Sequence, residues 1–158
     1  MRRKDREVTN RADLEQILQS CQVCRLGLVD GDQPYIVPLN YAYDWQGENP
    51  AIYVHCATVG YKLDLLAKNN RVCVEVDTDH QLIAAEAAAD YSYAYSSFIG
   101  FGRALLLTED ADKRYGLQLL MQQIVGEGEY PLPENLDNVA VLRIELDSFS
   151  GKRRPASR

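Results

Sequence analysis

Histidine is scarce in this chain: 158 residues contain only two, His55 and His80. No His-x-x-Glu-His or paired-histidine signature is present, so no metal site is expected. There is no G-x-S-x-G, which removes the strained-turn serine that a hydrolytic Ser-His-Asp set would use. There is no G-x-G-x-x-G and no Walker loop, and Gly100-Phe101-Gly102 is interrupted and falls inside a predicted strand. Positive charge is also short, 17 Lys and Arg against 23 Asp and Glu, for a net charge of -6. A general nucleic-acid binder needs a basic face, because phosphate contacts dominate affinity, so nucleic acid is not an expected partner. The two basic clusters, Arg2 to Arg6 and Lys152 to Arg154 with Arg158, are terminal and read as solvated ends. No apolar run approaches the ~20 residues of a membrane span. The charged start, Met1 to Glu7, leads into no apolar stretch, so neither a membrane partner nor a secretory leader is expected, and a cytoplasmic location is.

What is present is an ordinary globular composition, 46% hydrophobic and 25% charged. At 158 residues the chain is expected to form a single domain over 1–158, large enough to bury roughly 70% of its unfolded surface. Four cysteines, Cys21, Cys24, Cys56 and Cys73, are expected as free thiols. Cys21-Gln22-Val23-Cys24 has redox spacing, but it lies where a helix runs into a strand. A thioredoxin-type pair needs the reverse order, with a helix N-terminus to lower the thiol pKa.

Thr9 or Asn10 can cap a first helix carrying Leu14, Ile17, Leu18 and Cys21 at helical spacing. Val23–Val29 reads as a strand, Asp30-Gly31 as a hairpin turn, and Tyr35–Tyr43 as the returning strand. Pro34 and Pro38 remove two amide donors, so that strand should be bulged or lie at an edge. Ala51–Cys56 forms a third strand, and Tyr61–Lys68 a helix with Leu63, Leu66 and Ala67 on its core face. Val72, Val74 and Val76 alternate as a strand, followed by a turn containing His80. Ala84–Tyr95 has helix formers but no clean face. Ser96–Leu107 reads as a long strand with Gly100 and Gly102 as bulge or close-approach points. Asp110–Val125 is an amphipathic helix with Leu117, Leu120, Met121 and Ile124 inward, and Val139–Leu146 is the last strand. The order predicts a mainly β, closed or partly closed antiparallel barrel with peripheral helices.

The segment Tyr53-Val54-His55-Cys56-Ala57-Thr58-Val59-Gly60-Tyr61-Lys62 ends a strand, passes through small residues and opens a helix with a lysine. Free amides and one ammonium there suit a phosphate monoester; an ordinary helix start with a lysine has the same pattern. Together with Met1 to Glu7, Val23 to Gly31, Pro34 to Tyr41, Val72 to Asp77, Ile99 to Ala104, Val141 to Glu145 and Gly151-Lys152, this segment resembles the pyridoxamine-phosphate-oxidase-like flavoproteins. Within them the chain is most similar to the group named for Nim-type nitroimidazole resistance proteins.

The resemblance implies a six-stranded antiparallel split β-barrel and FMN held at the two-fold interface of a homodimer. It implies that Val37, Pro38, Leu39 and Asn40 run beside the isoalloxazine edge and that His55 and Cys56 border the ring and ribityl chain. Thr58 and Lys62 would hold the phosphate, and Ser96 and Ser97 would face the flavin from the long strand. The oxidase proper has a glutamine on that strand and an arginine before the phosphate lysine, where this chain has Ser96-Ser97 and Tyr61. Tyr91, Tyr93 and Tyr95 are expected at the dimer interface. The implied activity is flavin-mediated electron transfer from a small-molecule donor to a small acceptor such as a nitro-aromatic, with His55 as the one candidate catalytic group. The alternatives are a flavin store or redox sensor without turnover, or a split barrel that takes haem or a deazaflavin.

Overall fold

Val72, Val74 and Val76 point inward and are buried, while Arg71, Cys73, Glu75 and Asp77 point outward, and this alternation is repeated around a closed ring. The computed structural model describes residues 3–156. Its strands are β1 (Glu7–Val8), β2 (Val23–Asp30), β3 (Gln33–Asp44), β4 (Ala51–Cys56), β5 (Arg71–Ile83), β6 (Ser92–Leu106) and β7 (Ala140–Arg154). Its helices are α1 (Arg11–Gln19), α2 (Tyr61–Lys68) and α3 (Asp110–Val125), with single 3₁₀ turns at Lys4–Arg6 and Ala88–Asp90. All pairings are antiparallel, in the order β1-β7-β4-β3-β2-β5-β6, and β6 returns to β7. Six strands thus close into a split barrel, and the short β1 adds to β7 outside the ring. Among the described residues no helix is long and apolar enough to cross a membrane.

The interior is filled by Cys24, Leu26, Leu28, Ile52, Val54, Phe98, Leu142, Ile144 and Leu146 with the β5 valines. α1 adds Leu14, Ile17 and Leu18; its N-cap is Asn10, whose side chain accepts from the Ala12 amide at 2.8 Å. The helix ends at Gln19, so Cys21 is buried just beyond it rather than on its face. β4 is buried on both sides, because α3 covers Tyr53 while Ile52 and Val54 face the barrel. This explains its unbroken apolar run.

Several inward faces differ from the sequence expectation. On α3 the buried positions are Gly116 and Leu120; Leu117 and Met121 are half-buried and Ile124 is exposed. Gly116 decides the face, since a Cβ there would lie 2.9 Å from Tyr53 Cδ1 and 3.0 Å from Val141 Cγ1. On α2 it is Leu65 that is buried, with Leu63 and Leu66 half-buried and Ala67 exposed. The ambiguous segment is a loop with one 3₁₀ turn, and β6 begins at Ser92. β5 runs through His80 to Ile83, with an irregularity between Thr78 and Gln81 and Asp79 at a φ of 61°. The last strand continues well past Leu146, to Arg154.

The close-approach expectation holds at Gly102. A Cβ there would meet backbone, lying 2.8 Å from both Glu145 C and Leu146 Cα, where the β6–β7 register shifts. At Pro34 and Pro38 the ladder with β2 is regular, so it is the edge reading, not the bulge, that holds.

Candidate functional site

The prolines lie where β3 has a neighbour on one side only. β2 pairs with β3 from Asp30–Gln33 to Val23–Asn40, whereas β4 joins β3 only from Tyr41–Val54 to Asp44–Ala51. The two-residue turn at Gly31-Asp32, with Gly31 at a φ of 64°, sets the alternation that follows. Odd positions of β3 direct their backbone groups to β2, and even positions direct theirs to the open side. Pro34 and Pro38 are even, so the missing donors cost the ladder nothing. Ile36 presents both N–H and C=O to the open side, Pro38 presents its carbonyl, and Asn40 presents its N–H, its carbonyl being taken up by the last step of the β4 ladder. Val37 and Leu39 contribute half-buried side chains packed on the core rather than free backbone groups. The Asn40 side chain donates to Gln22 O at 3.0 Å, which fixes it at the mouth of the split.

The next pair in the β3–β4 register would be Asn40 with His55, but the ladder stops one step earlier. The strands part there, and His55 is exposed at the rim with Cys56 half-buried beside it. Burial raises the Cys56 thiol, and the Lys62 ammonium partly opposes that rise. Between them runs the exposed loop of Ala57, Thr58, Val59 and Gly60. Gly60 holds a φ of 145°, a left-handed backbone that suits glycine, and its carbonyl accepts from Leu63 N at 2.9 Å. The Tyr61 and Lys62 amides at the helix start have no acceptor among the described residues. Lys62 has no carboxylate partner among the described residues either.

The helix is anchored by a contact that no local pattern announces. The Tyr61 hydroxyl bonds Asp30 at the hairpin, and its ring meets Tyr35 edge-on at 5.2 Å. Asp30 and Tyr61 are 31 positions apart, so only the closed barrel makes the pair visible. The open edge of β3 therefore carries Val37 to Asn40, with His55 and Cys56 at its Asn40 end and the α2 start, which bears Lys62 and follows Thr58, tied to its hairpin end.

Ser96 and Ser97 are not brought to this cluster within the chain. They lie three strands from β3, opposite Thr78 and Asp77. Ser96 is fully buried and accepts from Arg153 Nε at 3.1 Å, whereas Ser97 is half-buried on the outer face. Tyr91 and Tyr93 are 49% and 50% exposed, and Tyr95 is half-buried. His80 lies apart from the split, with Nε2 at 2.6 Å from Asp77 Oδ2. Cys21 and Cys24 are both buried free thiols. Burial pushes Cys24 up to about 12 and also raises Cys21, so neither is an activated nucleophile.

Residues 10–153 match the family described as pyridoxamine 5'-phosphate oxidase. The chain belongs to this family. Solved structures share the fold. A candidate 5-nitroimidazole antibiotic resistance protein from Bacteroides thetaiotaomicron superposes with a TM-score of 0.79 at 24% identity, covering 93% of this chain and 86% of that one. An FAD and heme binding protein from Mycobacterium smegmatis gives 0.79 at 21% identity, over 94% and 73%. An FAD-binding protein from Mesorhizobium loti gives 0.66 at 21% identity, over 93% and 96%. No curated protein matches the chain. At these identities the structural likeness speaks for the fold.

Proposed function

We propose that the chain is an FMN-binding oxidoreductase that acts as a homodimer and passes electrons to a small acceptor such as a nitro-aromatic. One observation supports the reading: the unpaired edge of β3 is flanked by the rim histidine where β3 and β4 part and by a lysine-headed helix start at its hairpin end. The residues fit the group. The open-side backbone of Ile36, Pro38 and Asn40 can hydrogen-bond the polar edge of a planar ring. Thr58, the free α2 amides and Lys62 can hold one phosphate monoester. A short loop and a single lysine suit FMN better than a dinucleotide, although two of the similar structures are of FAD-binding proteins. Bound flavin supplies hydride acceptance and one-electron transfer, so the protein's part is binding, orientation and electrostatics. Exposed His55 can donate a hydrogen bond or relay a proton at the rim; no other imidazole stands there. Ser96 and Ser97 lie too far from the cluster to join it within one chain, so any contact they make with the flavin is across the two-fold axis.

The test is the protein as purified. Flavin absorbance with released FMN is expected; a Soret band would replace flavin by haem, and released FAD would correct the cofactor. Lys62→Ala should weaken FMN by roughly ten- to a hundredfold, as a charge-assisted hydrogen bond is worth about 1.5–3 kcal/mol. Riboflavin, lacking the phosphate, should bind both proteins alike, and equal losses for both ligands would remove Lys62 from the phosphate site. Photoreduced wild-type protein should reduce a nitro-aromatic, and His55→Ala should slow that step less than about a hundredfold, below full acid–base dependence. A reduced protein that passes electrons to no nitro-aromatic or quinone would make the chain a flavin store or sensor.

A further inference from the structure

Arg2 and Arg158 lie outside the described residues, but the basic residues from Arg3 to Arg6 and from Lys152 to Arg154 are brought side by side. β1 pairs with β7, Glu7 opposite Lys152 and Val8 opposite Gly151, which seats the turn Lys4–Arg6 against the end of the last strand. Arg3, Arg6, Arg153 and Arg154, with the single carboxylate of Asp5, line a concavity of about 380 Å³. In a chain of net charge -6, four guanidiniums around one carboxylate are a local reversal of sign.

The four are held differently. Arg3 is bidentate on Asp5, at 2.8 and 2.6 Å. Arg6 stands 4.0 Å from the same carboxylate. Arg153 is fixed by Ser96 Oγ at 3.1 Å, Asp13 Oδ1 at 3.2 Å and Gln16 Oε1 at 3.1 Å. Arg154 has no carboxylate or hydrogen-bond partner among the described residues. Beside them Lys152 lies over the Tyr95 ring, 5.5 Å from its centroid. Burial raises the Tyr95 phenol, but hydrogen bonds to Lys152 and Arg6, and their charge, outweigh it and bring the phenol below its ordinary value. The positive field there is therefore only partly neutralised.

We propose that this concavity binds a small phosphate-bearing polyanion of the diphosphate class. Guanidinium forks match phosphate oxygens two at a time, and several converging arginines call for more charge than one carboxylate carries. The volume is small for a whole nucleotide. A second concavity, which shares Arg153 and Arg154 and reaches Asp79, His80, Gln81 and Ser96, leaves room for an uncharged or cationic group attached to the diphosphate. A nucleic-acid strand would need an extended basic track, and the cations here are gathered in one hollow. Within one chain the hollow lies on the β6–β7 side of the barrel. Its Arg153 bonds Ser96, whose proposed contact is with the partner's flavin, so it is the Lys62 variant that tells the two sites apart.

Calorimetric titration with inorganic pyrophosphate at low ionic strength tests this. Arg154→Gln and Arg6→Gln should each weaken binding roughly tenfold. Asp5→Asn, which removes the only carboxylate of the hollow and frees Arg3, should tighten it several-fold, a gain that a merely structural role would not produce. Lys62→Ala should leave pyrophosphate binding unchanged, which separates this site from the proposed flavin site. No heat at millimolar pyrophosphate, indifference to both arginine variants, or weakening by Asp5→Asn would overturn the proposal.

Discussion

Glu75 stands in an outward row of β5, half-buried, with Arg25 Nη1 3.5 Å from its Oε2 and Asp77 bonded to the same guanidinium. Burial and then the Asp77 charge raise its carboxyl above the ordinary value, and Arg25 only partly offsets them. A carboxyl raised in the folded state adds its full stability only below the unfolded pKa, and that contribution is lost as pH rises through the folded pKa. Ionised Glu75 is therefore a cost at neutral pH. Glu75→Gln should raise the melting temperature by about 1–2 °C at pH 7 and leave it unchanged near pH 4, where wild type is itself protonated. Melts at the two pH values check this, and a drop at pH 7 would mean that the Arg25 ion pair outweighs desolvation.

At the scale of elements, α1 depends on its first turn. Asn10→Ala removes the acceptor of the Ala12 amide and should cost about 1 kcal/mol, or roughly 2–4 °C in a chain of this size, while Asn10→Asp should restore most of it. Thermal melts of the three proteins decide it. Elements of this kind were legible in the sequence because their signals are local: the cap, the hairpin expected at Asp30-Gly31 and found one residue on at Gly31-Asp32, the alternation of Val72, Val74 and Val76, and the bounds of β4, α2 and α3. The lysine-headed helix after β4 was legible for the same reason, as was the proline-bearing edge. What was not legible depends on partners distant in sequence. The α3 face is set by Tyr53 and Val141 meeting Gly116. The Tyr61–Asp30 tie needs the closed barrel, and the inward turn of Ser96 needs Arg153 from the other end of the chain. The terminal arginines looked solvated because no local pattern pairs β1 with β7.

At the scale of the whole molecule, the outer face of β2, β3, β5 and β6 presents an apolar surface. Register aligns Ile36, Gly27, Cys73 and Phe101 in one outward row. Ile36 is 65% and Phe101 55% exposed, and around them a groove of about 420 Å³ is lined mainly by apolar groups between Arg25 and Arg71. Large apolar surfaces of this kind mark interaction sites, and this one is continuous with the open edge of β3, so one partner would cover both. A second copy of the chain is the proposed occupant, and a stable pair needs about 1,200–2,000 Å² of buried surface, more than the groove alone supplies. Tyr91 and Tyr93, half exposed in the single chain, would add to it. Ile36→Lys puts a charge at the centre of this face without touching the core, and should convert a dimer to monomers and lower flavin occupancy with it. Val125→Lys, on an exposed residue at the end of α3, should change neither. Sedimentation with absorbance at the flavin band reads both quantities at once. A wild-type protein that sediments only as a monomer at micromolar concentration, with its flavin bound, would refute the dimer. A flavin-free Ile36→Lys dimer would separate the interface from the site, because one face could not then be serving both.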